Sequence, residues 1–298
     1  DDLLNFSMTQ KWMERLNPEP HFMNMHGSKP TCFENICGKL RELGFHFNMS
    51  PAWSKRLQPY IEFLERETEK HGLTELGQIF SFGPLSTIGC THAVVLDAAI
   101  NHLKRVGDFC RLMIFDIYVD PETYGGMYSQ YKGRTLINAE YNNRLPTIWD
   151  IYMLAYMPRT HRKEEIEQAE TAIINYILTD EYQNFPDGYG IMYHPPTNKY
   201  YAHGWKIGLP GWFDFPKVKE KIPTHFYLRV ELLSKFKQPL TRKWFQNSIN
   251  YLISFQTETG KYRFPSTCLK EGTDGYYVFG NYLRLEDNRR RKIALELD

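Results

Sequence analysis

The sequence has few cysteines, almost no net charge and no long apolar run, and each shortage excludes a class of protein. Five cysteines in 298 residues are an odd number, and no Cys-x-x-Cys pair occurs. This argues against a disulfide framework and predicts a reducing, cytoplasmic location. The formal net charge of +1 gives no reason to expect nucleic acid or an anionic membrane as a partner. No apolar run reaches the length of a membrane span, because even the stretch around Val94 is interrupted by His92 and Asp97.

Motifs for phosphate binding, for dinucleotide binding and for zinc binding of the metalloprotease type are also missing. The chain has no phosphate-binding loop, no dinucleotide fingerprint and no His-Glu-x-x-His pair. We therefore expect neither a cofactor nor a resident metal ion. A small molecule is the expected partner, with a protein partner as the open alternative. Aromatic residues make up 15% of the chain, and they can either line a cavity or fill the core between helices.

Helical periodicity dominates the sequence. Apolar residues recur at helical spacing in about ten stretches, and composition does not shift along the chain, so we expect one all-α domain over residues 1–298. Gly83-Pro84 is expected to break the chain, with one helix from Ser86 to Val106 closed by Gly107 and another over Phe109–Tyr118. Two regions, 119–145 and 183–216, have no clear period and are predicted to be long loops, the second with a short hairpin at Tyr193–Tyr201.

A helix–Gln–turn pattern occurs twice. It runs over Asn250–Pro265 with Gln256, Gly260 and Tyr262, and in a looser form over Asn175–Tyr189 with Gln183. The pattern resembles the repeat of the terpenoid cyclase and protein prenyltransferase β-subunit superfamily, with Tyr262 where that repeat usually has Trp. The resemblance implies an α/α toroid, a barrel of helical hairpins around an aromatic cavity. It also implies an enzyme acting on an apolar small molecule, as a lyase or isomerase of the cyclase type or as a transferase.

The catalytic motifs of that superfamily are incomplete in this chain. The Asp-x-Asp-Asp motif that protonates an alkene in cyclases is absent. Asp108-Phe-Cys110 has the spacing of the zinc ligands in the prenyltransferases, with His161 or His203 as a downstream histidine. Cys110 also falls on the apolar face of a helix, so a buried structural thiol is the alternative reading.

Two groups of residues are candidates for catalysis. Cys90 and His92 could act as nucleophile and base, or as a buried thiol and a capping histidine. The loop 183–216 collects acids, imidazoles and aromatic rings, which can serve proton transfer or turn chemistry alike. The catalytic candidates there are Asp187, Tyr201 and His203, and the substrate-binding candidates are Tyr189, His194 and Trp205.

Asp150 is either an inward-facing acid or a charge at a helix start. As an inward acid it could pair with Asp187 in a carbohydrate-processing enzyme built on a similar helical toroid. A third alternative is a toroid without catalytic function, whose cavity is filled and whose surface binds a protein. The position of the aromatic rings distinguishes these alternatives, since an open aromatic cavity favours a ligand and a packed one favours a scaffold.

Overall fold

The computed structural model describes residues 2–69, 75–120, 135–186, 188–194, 198–220, 222–223, 225–264, 271–272, 275–279, 282–283 and 296–297. This part of the chain is mostly helical, as the periodicity predicts. The α-helices are α1 Asp2–Asn5, α2 Ser7–Met13, α3 Phe33–Glu42, α4 Pro51–Glu69, α5 Glu75–Thr87, α6 Ala93–Arg111, α7 Ile148–Tyr156, α8 Glu164–Ile177, α9 Asp180–Gln183, α10 Phe215–Glu220, α11 Phe226–Leu233, α12 Lys237–Leu240 and α13 Lys243–Ile253. Within the described residues, no helix combines the length and the apolar composition needed to cross a membrane.

Short strands depart from the all-α expectation. They are β1 Gly190–His194, β2 Lys199–His203, β3 Tyr262–Arg263, β4 Glu271–Gly272, β5 Tyr282–Leu283 and β6 Glu296–Leu297. β1 and β2 form an antiparallel hairpin with Gly190 opposite His203 and His194 opposite Lys199. The predicted hairpin is therefore present, and it extends further at both ends. On the other side of β1, Ile137 and Ile191 exchange a backbone hydrogen bond of 2.9 Å.

Helix α5 lies at the centre of the helical packing. It contacts α3, α6 and α7, while α6 packs along α8. Buried apolar residues from all five helices form one core, so these elements hold one another in place. The core aromatic rings also contact one another: the ring centroids of Tyr176 and Phe115 lie 4.8 Å apart, and those of Tyr182 and Tyr189 6.0 Å apart.

The predicted break at Gly83-Pro84 is wrong, because both residues lie inside α5. Gly83 is there for packing: a Cβ atom on it would lie 3.0 Å from Cε3 of Trp149. The chain turns instead after α5, where Gly89 adopts a φ of 71°, in the left-handed region that glycine tolerates. The predicted helix from Ser86 is therefore wrong at its start, since α6 begins at Ala93.

Gly107 does not close α6, and the predicted helix over 109–118 does not form. α6 continues to Arg111, and irregular chain follows. Gly107 lies at the crossing of α6 and α8, where an added Cβ atom would come within 2.7 Å of the Cβ atom of Ala169. A glycine inside a helix reads as a stop signal in the sequence, but here it lets two helices approach closely.

The two glutamines of the repeated pattern differ in their surroundings. Gln183 is buried; its amide nitrogen donates to the carbonyls of Ile177 and Ile207, and its oxygen accepts from the backbone of Leu209. Gln256 is exposed and bonds only locally to the carbonyl of Gly260. The looser copy therefore has the buried glutamine expected for the repeat, and the closer copy does not.

A buried lysine, Lys206, bonds to the same part of the chain as the side chain of Gln183. The Nζ of Lys206 donates to the backbone carbonyl of Gln183 at 2.9 Å and to that of Phe185. It also lies over the ring of Tyr182. The end of α9 is thus tied to the chain that follows the β1–β2 hairpin.

Candidate functional site

Several polar side chains surround a small cavity between α5, α6, the chain before α7 and the end of β2. We call it the histidine pocket. Its volume is about 10 Å3, close to the smallest space that holds one water molecule. The histidine pocket is lined by Ile79, His102, Arg105, Asn142, Asn143, Leu145, Thr147 and His203.

His102 and Asp150 form the central hydrogen bond beside the pocket. His102 Nε2 lies 2.7 Å from Asp150 Oδ1, and both side chains are buried. The other carboxylate oxygen of Asp150 accepts the backbone N–H of Thr147 at 2.5 Å and its hydroxyl at 2.9 Å. This is a capping box at the start of α7, in which Thr147 is the N-cap. Asp150 therefore caps the helix and also holds an imidazole.

Arg105 determines which ring nitrogen of His102 carries the proton. It lies one turn after His102 on α6, and its Nη2 is 3.2 Å from His102 Nδ1. A guanidinium group has only donors, so Nδ1 is the acceptor and Nε2 carries the proton donated to Asp150. Arg105 Nε also donates to the carbonyl of Asn143 at 3.2 Å. The guanidinium group therefore joins α6 to the chain before α7.

His203 forms the floor of the pocket and is fully buried. Its Nε2 donates to the carbonyl of Asn142 at 3.3 Å, whereas no other described residue gives Nδ1 a hydrogen-bond partner. Burial lowers the pKa of His203 to about 4, because removal from water disfavours the imidazolium form. At neutral pH the ring is therefore uncharged, and it lines a polar cavity.

The ring of Trp205 contacts both His203 in the histidine pocket and His26, which belongs to a second imidazole–carboxylate pair. Its ring centroid lies 5.5 Å from that of His203 and 5.7 Å from that of His26. His26 stacks on Phe80 at 4.0 Å, and its Nδ1 lies 2.7 Å from the buried carboxylate of Glu34. Two imidazole–carboxylate pairs, His102–Asp150 and His26–Glu34, thus lie in the same region of the molecule.

Of the predicted site residues, the structure brings together His203, Asp150, Trp205 and Tyr189. Tyr189 is buried, with its ring edge-on to His203 at 5.2 Å and its hydroxyl donating to the carbonyl of Pro146. It adopts a φ of 55°, an uncommon conformation for a residue other than glycine. Asp187 lies outside the described residues.

Tyr201 and His194 lie on the hairpin, away from the histidine pocket. Tyr201 is 42% exposed on β2. Its ring lies 6.0 Å from the ring of His194 on β1. The pocket lining includes neither residue.

Cys90 and His92 lie in the turn before α6. Cys90 is buried, and burial raises the pKa of its thiol to about 11, which disfavours the reactive thiolate. His92 stands at the N-cap position of α6, with Nδ1 3.8 Å from a carboxylate oxygen of Glu65. This geometry matches a structural thiol and a partly exposed histidine at a helix start.

Asp108 and Cys110 face different surroundings. Asp108 is exposed and accepts a 2.8 Å hydrogen bond from Arg111, whereas Cys110 is buried in the core. Burial raises the pKa of the Cys110 thiol well above its ordinary value. In the part of the chain that the structure describes, no three His, Cys, Asp or Glu side chains come together in a way that could hold a metal ion.

No family model, curated protein or solved structure matches this chain. A role for the histidine pocket must therefore be argued from its own geometry. The resemblance to the terpenoid cyclase and prenyltransferase superfamily stays a prediction from the repeated pattern.

Sequence reasoning did not identify His102, Arg105 or Asn142 as parts of a site. Thr147 and Asp150 carry a signal, since a threonine followed three residues later by an acid at a helix start is a capping pattern. The meeting of His102 with Asp150 depends on how α6 packs beside α7, which local spacing does not encode.

Proposed function

We propose that this chain is an enzyme that moves a proton to or from a small molecule at the histidine pocket. The observation that carries the proposal is the open Nδ1 of His203, on a fully buried and neutral imidazole. A neutral imidazole with a free lone pair can accept a proton from a bound group. Perturbed titratable groups in polar pockets are often functional.

The neighbouring residues have supporting roles in this proposal. Asp150 and Arg105 hold His102 in one orientation and one tautomer through contacts of 2.7 and 3.2 Å. Both ring nitrogens of His102 are therefore hydrogen-bonded, and His102 acts as a positioning residue. His203 is the proton acceptor. The guanidinium group of Arg105 places a positive charge beside a substrate at the pocket mouth.

The substrate bound at the mouth of this pocket carries a polar group, because the lining includes three charged or imidazole side chains, His102, Arg105 and His203. The wider proposal keeps the α/α toroid of the terpenoid cyclase and prenyltransferase type as the architecture. It is supported by the mostly helical chain and by the buried Gln183 in the repeated pattern. A cytoplasmic location agrees with the free, buried cysteines Cys32, Cys37, Cys90 and Cys110.

The test is a panel of p-nitrophenyl esters, glycosides and phosphates together with short prenyl diphosphates. We expect His203→Gln to lower the turnover of any substrate found by about a hundredfold or more, the usual effect of losing a general acid–base group. His46→Gln is the matched control, because His46 is exposed. Equal turnover by His203→Gln and His46→Gln would contradict the proposal.

A second candidate, a protein-binding scaffold, is favoured by the packing of the core aromatic rings. Phe33 stacks on Tyr60 at 3.8 Å and Phe115 on Tyr176 at 4.8 Å, so these rings fill space between helices. The carbohydrate-processing alternative gains less support. Its proposed acid Asp150 already accepts three hydrogen bonds, and Asp187 lies outside the described residues.

A further inference from the structure

The floor of the histidine pocket presents two buried hydrogen-bond acceptors. They are Nδ1 of His203 and Oδ1 of Asn142, and among the described residues neither has a hydrogen-bond partner. A buried polar atom left without a hydrogen-bond partner destabilises the folded chain. Two such atoms beside one polar cavity therefore indicate a bound group that donates hydrogen bonds.

The size and charge of the pocket select the chemistry of that group. About 10 Å3 is close to the smallest space that admits one water molecule and is too small for a larger polar solute. An ammonium ion would lie beside the guanidinium group of Arg105, and an anion would face the lone pairs of the two acceptors. A water molecule is neutral and donates two hydrogen bonds, so it satisfies both acceptors.

We infer that the histidine pocket binds one water molecule between His203 and Asn142, and that this water is the second reactant of a hydrolysis. The inference rests on the proposed function, because His203 is the proton acceptor in both. Arg105, Asn142 and Asn143 are partly exposed, whereas Thr147 and His203 are buried. The substrate therefore approaches past the partly exposed residues, and the water lies beneath it.

The reaction step balances without a further reactant. The water oxygen forms a bond to the electrophilic carbon of the substrate while its proton passes to Nδ1 of His203. The bond from that carbon to the leaving group then breaks, and the leaving group keeps the electron pair. It takes the proton from Nδ1, so His203 returns to its neutral form.

Two variants separate the water from the rest of the pocket. Asn142→Ala removes the Oδ1 acceptor but keeps the backbone carbonyl that accepts from His203. Asn250→Ala is the matched control, because Asn250 is exposed on α13 and does not line the pocket. With p-nitrophenyl acetate as probe, we expect Asn142→Ala to lower kcat by about tenfold or more with little change in KM, within the usual range for a positioned catalytic contact. Asn250→Ala should match the unaltered chain.

A crystal structure of the full chain and a reaction in ¹⁸O-labelled water complete the test. We expect electron density for one water within hydrogen-bond distance of both acceptors, and ¹⁸O in the acetate that is released. A pocket without this water, or a panel without a hydrolysed ester or glycoside, would overturn the inference. If His203→Gln still abolished another activity of the panel, the proposed function would stand without it. An ordered water with full activity in His203→Gln would instead reject both.

Discussion

His102 and Asp150 lie 48 positions apart in the chain, yet their side chains meet at 2.7 Å in a buried hydrogen bond. The same carboxylate caps α7 through Thr147. One acid therefore fixes the start of a core helix and the orientation of an imidazole beside the histidine pocket. Stability and site geometry depend on the same side chain.

The first prediction concerns Asp150→Asn. The amide nitrogen of Asn is a donor, and it would face the proton of either Thr147 or His102, so at least one hydrogen bond to a charged acceptor is lost. We expect the free energy of unfolding to fall by about 2–3 kcal/mol. Urea denaturation measures the loss. Asp108→Asn is the control, because the exposed pair of Asp108 with Arg111 contributes less than about 1 kcal/mol. Similar losses in both variants would show that the contact with His102 adds nothing.

The second prediction is a pH dependence of stability that comes from His203. Its folded pKa of about 4 lies below the unfolded value near 6.5, so the unfolded chain binds the proton first as pH falls. Stability from this group is complete above about pH 6.5 and is lost between about pH 6.5 and 4, by about 3 kcal/mol in total. His203→Gln should flatten this part of the stability curve relative to the unaltered chain. An unchanged slope in His203→Gln would mean that His203 does not titrate in this way.

The third prediction compares the two glutamines of the repeated pattern. Gln183→Ala removes hydrogen bonds to Ile177, Ile207 and Leu209 in the core. The buried backbone groups that remain unpaired should lower the free energy of unfolding by about 2–3 kcal/mol. Gln256→Ala affects an exposed contact, and we expect a change below about 0.5 kcal/mol. Thermal and urea denaturation of both variants check the difference, and a larger loss at Gln256 would reverse our assignment.

The fourth prediction concerns the crossing of α6 and α8. Gly107→Ala places a methyl group within 2.7 Å of the Cβ atom of Ala169, so the helices must separate. We expect a loss of about 1–3 kcal/mol, the usual cost of overpacking. At Gly208 an added Cβ atom meets no heavy atom within 4 Å, so Gly208→Ala should change stability by less than about 1 kcal/mol. A neutral Gly107→Ala would show that the helices can adjust.

Periodicity and capping patterns predict much of the helical structure. Among the stretches with helical spacing, residues 164–177 and 243–253 form α8 and α13, and both have a clear apolar face. The sequence prediction is wrong for two glycines, because Gly83 and Gly107 lie inside helices. Gly83 lets Trp149 approach closely, and Gly107 lets Ala169 do so. Sequence shows that a residue is small, but not whether it makes a turn or a contact.

The candidate site was predictable in part. His203, Asp150, Trp205 and Tyr189 were chosen from chemistry-bearing residue types, and these four do lie together around or beside the histidine pocket. Their meeting with Arg105 was not predictable, because it requires α6 to pack beside the chain before α7. Sequence spacing also cannot show burial, and burial makes the thiol of Cys90 less reactive than an exposed thiol.

The hydrogen bonds of Lys206 have a consequence for how the end of α9 and the segment 206–209 unfold. Its ammonium group reaches back to the carbonyls of Gln183 and Phe185, while Gln183 reaches forward to Leu209. Both sets of bonds involve Gln183, so a displacement of Gln183 would break both. The end of α9 and the segment 206–209 should therefore unfold as one cooperative unit, and hydrogen exchange of their backbone amides should give a common opening free energy.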